Sequence, residues 1–146
     1  ADELDMLPGK RARHVISENE RVLAAAQAMS AGDAEKMGAL MNASHISMRD
    51  DFEITNDELN IIVELAQSQP GCYGARMTGG GFGGCAVALV QDDAADSFVE
   101  NTRQNYQEKT GLKPEIYVCK ASGGVDVLWL ATLLNTHITF LKTIRL

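Results

Sequence analysis

The sequence lacks the hallmarks of several common classes of protein. No cluster of lysine and arginine is large enough for a nucleic-acid footprint, and the nearest approach is Lys10, Arg11 and Arg13. Residues 127–141 carry no charge, yet this stretch is too short and too rich in threonine, asparagine and histidine to span a membrane. We therefore expect neither nucleic acid nor a membrane as a partner.

Cys-x-x-Cys pairs are also missing, and the three cysteines, Cys72, Cys85 and Cys119, are widely spaced among apolar neighbours. Their odd number argues against a disulfide framework, and the histidines lie too far from them in sequence to suggest a zinc site. We expect all three to be small core residues in a reducing compartment, which favours the cytoplasm. No secretory signal peptide opens the chain, and its first residue is alanine, so we interpret it as a fragment or a processed piece.

The composition that is present fits one globular domain. The 146 residues are 45% apolar and 23% charged, which is enough to close a hydrophobic core. The formal net charge is -7. This charge does not exclude a phosphate ligand, because backbone N–H groups and helix ends bind anions without net positive charge.

The first half of the chain predicts three helices. The first covers about residues 10–30, after a Leu-Pro-Gly turn, and the second begins after Asp33 as its N-cap and ends near residues 49–51. A capping box of Thr55 and Glu58 starts the third. Helical periodicity gives the first helix a buried face of Val15, Val22, Leu23, Ala26 and Met29, and the third a buried face of Leu59, Ile62, Val63 and Ala66.

The second half predicts strands over residues 73–78, 85–90 and 115–120, with a helix over 92–110 that ends at Gly111. The short loop between the first two strands indicates an antiparallel pair. The helix between the second and third strands can then cover one face of the sheet. We therefore predict an α+β domain with helices packed on one face of a mainly antiparallel sheet.

The loop at residues 79–84 holds five glycines in six positions. A turn between strands needs only one or two residues of positive φ, and each further glycine costs about 0.5–1 kcal/mol against alanine in regular structure. One explanation is a backbone whose consecutive amides converge on a phosphate; the other is a mobile hairpin loop packed under another part of the domain. The loop is not a Walker A sequence, and the strand that follows it argues against a Rossmann fingerprint.

Residues 74–85, GARMTGGGFGGC, resemble the third motif of the galactokinases, which belong to the GHMP superfamily of small-molecule kinases. RARHVISE at residues 11–18 resembles the start of the first long helix of that family's C-terminal domain, and YVC at residues 117–119 resembles its closing strand. SHISMRDDFEIT at residues 44–55 narrows the resemblance to galactokinase. The similarity is colinear over about residues 10–125.

This resemblance implies transfer of the ATP γ-phosphate to the C1 hydroxyl of D-galactose, with Mg²⁺. The family's galactose signature, phosphate loop, catalytic Asp and metal-binding Glu lie in an N-terminal domain and match no residue here. We therefore assign no catalytic residue and no metal ligand, and we expect the chain alone to be inactive. The third motif lies against the nucleotide phosphates in the family. It suggests as phosphate-proximal residues Thr78, Gly79, Gly80, Gly81 and Gly83.

The resemblance divides the chain into an N-terminal remnant at residues 1–9, a GHMP kinase C-terminal domain at 10–125 and an atypical tail at 126–146. Residues 129–146 match nothing in the family. A frameshift or readthrough would explain this departure. Two alternatives stay open. The chain could belong to another GHMP kinase, or it could be a truncated non-catalytic product that binds or regulates a partner.

Five further residues have a functional and a structural interpretation. Arg76 could reach a phosphate, but we expect a structural ion pair. Asp50 and Asp51 could act as an acid–base or metal pair, but adjacent carboxylates at a helix end more often cap the helix, pair with Arg49 or face solvent. His45 could be a base, and a packed or hydrogen-bonded histidine is expected instead. Phe82 could stack on adenine, but we expect its ring to anchor the loop to the core.

Overall fold

The computed structural model describes residues 6–120 and 142–145. The helices are α1 (Met6–Ala31), α2 (Ala34–Ser47), α3 (Asp57–Gln67) and α4 (Ala95–Thr110), and a π-helical turn, Met48–Phe52, follows α2 directly. The strands are β1 (Cys72–Thr78), β2 (Cys85–Val90), β3 (Glu115–Val118) and β4 (Lys142–Arg145). They form one antiparallel sheet in the order β1-β2-β4-β3. The predicted α+β arrangement of helices on an antiparallel sheet is confirmed.

Strand β4 was not predicted. It belongs to the stretch we had set apart as an atypical tail, and it pairs with β2 on one side and β3 on the other, with Val87 opposite Thr143. The rest of that tail lies outside the described residues. The four residues of β4 have no sequence pattern that distinguishes them as a strand. Strand propensity depends on the neighbouring strands, and those of β4 lie far away in sequence.

Helix α1 is longer than predicted and buries a different face. It starts at Met6, so Leu7, Pro8 and Gly9 lie in its first turn rather than in a preceding turn. Proline is tolerated there because the first N–H groups of a helix have no intrahelical acceptor. The predicted buried face was wrong: the side chains of Val22 and Leu23 are 58% and 68% exposed, whereas His14 and Ala28 are buried.

Helix α2 lies along the outer edge of β1. Asp33 caps its start as predicted, since its Oδ1 accepts from the N–H of Lys36 at 2.9 Å. The helix and strand cross at a glycine pair: a Cβ on Gly38 would lie 2.1 Å from the carbonyl oxygen of Tyr73, and one on Gly74 would lie 2.1 Å from the carbonyl oxygen of Gly38. This contact lets α2 cover a strand edge that would otherwise be open to pairing.

Helices α3 and α4 cover one face of the sheet. The helix α3 begins with Asn56 as N-cap, whose Oδ1 accepts from the N–H of Leu59 at 3.0 Å, so the predicted capping box was one residue early. Its predicted buried face is confirmed, and Gly111 ends α4 at φ 72° as predicted. The main core cluster joins the two helices to alternate residues of β1 and β2: Ile62, Val63, Leu65, Ala66, Ala75, Ala86, Ala88, Phe98 and Tyr106.

Candidate functional site

The glycine loop joins β1 to β2 through a run of left-handed backbone. Gly79, Gly81, Gly83 and Gly84 have φ values of 88°, 81°, 117° and 104°. These conformations cost a residue with a side chain about 1–2 kcal/mol each, so glycine is required by the backbone itself. Gly80 is the exception, because its φ is not in this region and an added Cβ would meet nothing within 4 Å. A glycine at this position is unexplained by the chain's own packing and leaves space for a ligand.

One half of the loop is fixed to the start of α3. The N–H of Phe82 donates to the carbonyl oxygen of Ile54 at 2.7 Å, and a Cβ on Gly81 would lie 2.3 Å from that same oxygen. The ring of Phe82 is 74% exposed, so our expectation that it anchors the loop to the core was wrong. The anchor is the Phe82 backbone, held at φ 55°, which turns the ring outward.

The other half of the loop is open. Gly79 and Gly80 are exposed and Gly81 and Gly83 are half-buried. Within residues 6–120 and 142–145, none of their N–H groups donates a hydrogen bond to another residue. Buried or half-buried amides without a partner are rare in proteins and are usually satisfied by water or a ligand. Closely spaced free amides of this kind suit an oxyanion.

Thr78, the last residue of β1, connects the loop to a polar network on the second face of the sheet. There Nη1 of Arg76 contacts Oε1 of Glu18 at 3.2 Å and Oγ of Ser44 at 2.8 Å, and Nε of Arg21 contacts Oε2 of Glu18 at 2.7 Å. Burial alone would raise the pKa of Glu18, but hydrogen bonds from Ser44 and Arg21 outweigh it and lower the pKa. The predicted structural ion pair of Arg76 is confirmed.

The segment SHISMRDDFEIT binds the other helices through its charges. Asp50 forms a two-point pair with Arg49, at 2.7 and 3.1 Å, and Asp51 pairs with Arg13 at 2.8 Å. The predicted pair with Arg49 is confirmed for Asp50, whereas Asp51 pairs with Arg13, which the sequence did not indicate. Lys10 and Arg11 both contact the carboxylate of Glu53, at 3.0 and 2.8 Å. The one basic cluster of the sequence is thus paired within the chain.

His45 closes the seam between α2 and β1. Its side chain is 2% exposed and its Nδ1 accepts from the N–H of Met77 at 3.3 Å, which places the ring proton on Nε2. Nε2 is buried, and no hydrogen-bond partner for it is found among the described residues, although Asn60 lies nearby. Burial and then the Arg49 guanidinium lower the pKa of His45 to about 4. The predicted packed, hydrogen-bonded histidine is confirmed.

The cysteines only partly follow expectation. Cys72 and Cys85 are half-buried, and burial raises the pKa of the Cys72 thiol to about 11. Cys119 is exposed, so its predicted place in the core was wrong; it follows the short edge strand β3, whose outer residues are also exposed. All three are free thiols.

Residues 6–120 and 142–145 contain neither a metal centre nor a membrane-spanning helix. No three histidine, cysteine or acidic side chains converge there as a metal centre would require. No helix in the same ranges is both long enough and apolar enough to cross a membrane.

Comparison with known proteins decides the family. Residues 24–108 match the family described as GHMP kinases C terminal. The chain belongs to the GHMP kinase family. It is 56% identical over 123 residues to the galactokinase of Actinobacillus succinogenes. This match covers 84% of the chain and 32% of the relative. The Chloroflexus aurantiacus galactokinase is 53% identical over 125 residues, covering 86% of the chain and 32% of the relative.

A solved structure agrees in fold. Lactococcus lactis galactokinase complexed with galactose superimposes with a TM-score of 0.72 at 49% identity, over 75% of this chain and 28% of that one. The chain thus corresponds to the C-terminal part of galactokinases and spans about a third of the length of the relatives it matches. The predicted GHMP-kinase C-terminal fold is confirmed.

Proposed function

We propose that this chain supplies the glycine loop of a galactokinase, which phosphorylates D-galactose at C1 with ATP and Mg²⁺. In this role Thr78, Gly79, Gly80, Gly81 and Gly83 lie against the nucleotide phosphates. The proposal rests on one observation: the loop presents several left-handed, hydrogen-bond-free amides beside a position, Gly80, where the chain itself leaves open space. The galactokinase relatives favour this reaction over that of other kinases in the family.

The contribution of this chain is positioning and charge stabilisation, which account for most of phosphoryl-transfer catalysis. Free amides in the Gly79–Gly80 half stabilise the growing charge on phosphate oxygens, and the Phe82–Ile54 hydrogen bond fixes the adjoining half of the loop to the domain. We assign no step to a metal on this chain. We propose residues 10–125 as a GHMP kinase C-terminal domain and the cytoplasm, where thiols stay free, as its location.

Tripolyphosphate titration of the ¹⁵N-labelled chain, followed by amide chemical shifts, tests the loop. We expect shifts at Gly79, Gly80, Gly81 and Gly83, with none there for adenosine. Gly79→Ala should weaken this binding. Gly32→Ala is the matched control, because both glycines have left-handed φ (88° and 68°) and open space around a Cβ, yet only Gly79 lies in the loop.

The Gly80→Ala variant separates binding from folding. Since residue 80 has ordinary φ and free space, the methyl group should leave stability unchanged and reduce tripolyphosphate affinity roughly tenfold by blocking the anion. Shifts that adenosine reproduces, or equal affinity in the Gly79→Ala and Gly32→Ala variants, would contradict phosphate binding. A separate assay with galactose and Mg-ATP should give no turnover by the chain alone, and any turnover would refute that expectation.

A further inference from the structure

The outer edge of β1 is held by side chains of α2 rather than by another strand. The N–H of Ala75 donates to Oδ1 of Asn42 at 2.9 Å, and the N–H of Met77 donates to Nδ1 of His45 at 3.3 Å. Because alternate residues of a strand point their N–H groups to the same edge, the next N–H in this row belongs to Gly79, the first residue of the glycine loop. That N–H has no acceptor within residues 6–120 and 142–145. The row that α2 holds therefore leads directly to a free amide of the loop.

The same histidine also faces α3. Its Nε2, which carries the ring proton, is buried without a partner in the described part of the chain, and so is Oδ1 of Asn60 on α3. Burial is the main influence on the pKa of His45 and lowers it to about 4, whereas the nearby Asn60 side chain acts in the opposite direction and raises it. A buried donor and a buried acceptor that lie side by side and lack other partners complete one another. His45 therefore joins β1 to α3.

The two attachments of His45 lie on either side of the glycine loop. On β1 it holds Met77, the last residue but one of the strand that enters the loop. On α3 it faces Asn60, whose N–H donates to the carbonyl oxygen of the N-cap, Asn56, at 3.0 Å. Just before this cap, the carbonyl oxygen of Ile54 accepts the hydrogen bond that anchors the loop, at 2.7 Å. One buried side chain thus connects the strand that enters the loop with the helix start that anchors it.

We propose that His45 is a positioning residue for the glycine loop: by fixing the end of β1 against α3, it directs the free N–H groups of Gly79 and Gly80 towards a bound phosphate. This inference rests on the proposed phosphate site. The His45 side chain is only 2% exposed, so it acts through the backbone and not on the ligand. A packing role would be met by any side chain of similar size, whereas positioning requires the acceptor and the donor of the ring.

Three variants of the ¹⁵N-labelled chain test this role through amide chemical shifts and tripolyphosphate titration. His45→Leu fills the space without a donor or an acceptor. It should displace the amide signals of Gly79 and Gly80 and weaken tripolyphosphate binding roughly tenfold. His45→Gln retains both hydrogen-bonding functions and should keep the affinity within about threefold of that of the unsubstituted chain. Asn42→Leu is the matched control, because it removes an acceptor from the same edge of β1 farther from the loop, and it should leave the signals and the affinity unchanged.

A fourth variant serves if His45→Leu does not fold. Asn60→Ala removes only the acceptor that Nε2 faces, and should displace the same two amide signals by a smaller amount. Unchanged glycine signals and affinity in His45→Leu or Asn60→Ala would overturn the inference, and so would an equal loss of affinity in His45→Gln or Asn42→Leu. Failure of the proposed function looks different: the unsubstituted chain would not bind tripolyphosphate, whereas the amide signals of the unliganded variants would still show whether His45 positions the loop.

Discussion

The two faces of the β1–β2 pair differ in how completely they are covered. On one face Ala75, Met77, Ala86 and Ala88 lie under α3 and α4 and are fully buried. On the other face Arg76, Thr78 and Val87 line an open groove under α1 and α2. Small residues on the closed face let helices approach closely, whereas the open face mixes a charged network with unfilled apolar space. The closed face therefore holds the main core of the described residues.

The glycine loop repeats this contrast at the end of the same strands. Its Gly81–Phe82 half is held against Ile54, close to the closed-face residue Leu59, and its Gly79–Gly80 half is free. A rigid attachment beside open amides is the arrangement expected of a binding loop positioned by a scaffold. If the two regions differ as described, substitutions should separate sharply by face.

The largest effect is expected on the closed face. Leu59→Ala removes a fully buried side chain that packs with Met48 and Met77, and should cost about 2–5 kcal/mol of unfolding free energy. Leu23→Ala makes the same chemical change on the exposed face of α1 and should cost less than about 0.5 kcal/mol. Urea denaturation followed by circular dichroism measures both. Similar values for the two leucines would remove the distinction between the faces.

A smaller effect should divide the glycine loop. Gly81→Ala combines a left-handed φ with a contact to the Ile54 carbonyl and should destabilise the chain by about 2 kcal/mol. Gly80→Ala meets neither obstacle and should change the unfolding free energy by less than about 0.5 kcal/mol. Denaturation midpoints of the two variants compare the halves directly, and a costly Gly80→Ala would show that the free half is packed after all.

A third effect concerns the contact between α2 and β1, and it depends on pH. The folded-state pKa of His45, about 4, lies below its ordinary value of 6.5. The unfolded chain therefore binds a proton first as pH falls, so stability is full above pH 6.5 and declines towards pH 4. We expect a loss of about 3 kcal/mol between these limits, because each pH unit in this window costs about 1.4 kcal/mol. His45→Gln retains an acceptor for the Met77 N–H and should flatten the profile in this window; an unchanged slope would contradict the assignment.

Many helix and strand positions could be predicted from the sequence, because interactions between residues close together in the chain specify where these elements begin and end. The Asp33 cap placed the start of α2, the Gly111 signal ended α4, and the strands that flank the glycine loop lie close to their predicted positions. The errors have a common cause. Pro8 in a first helical turn, Asn56 rather than Thr55 as cap, and the outward ring of Phe82 each depend on which of two nearby geometries the rest of the chain permits.

The candidate site was predictable as a location and not as a geometry. Five glycines within six consecutive positions indicate an unusual backbone conformation, and four of them have a left-handed φ in the structure. No pattern indicates that Ile54 holds the loop, since that hydrogen bond joins residues 28 positions apart: 82 − 54 = 28. The ion pair of Arg76 was foreseen as a type of interaction, but its partner Glu18 lies on α1, far away in sequence.

By itself the sequence determined where helices and strands form and where glycine is indispensable, because capping, periodicity and φ preferences act over a few residues. Tertiary structure alone decided which apolar faces are covered. On α1, the periodicity of a buried face is carried by Val15, Val22, Leu23 and Met29, yet these side chains are exposed. Periodicity indicates that one face of a helix is apolar, whereas the packing of segments distant in sequence determines what covers that face.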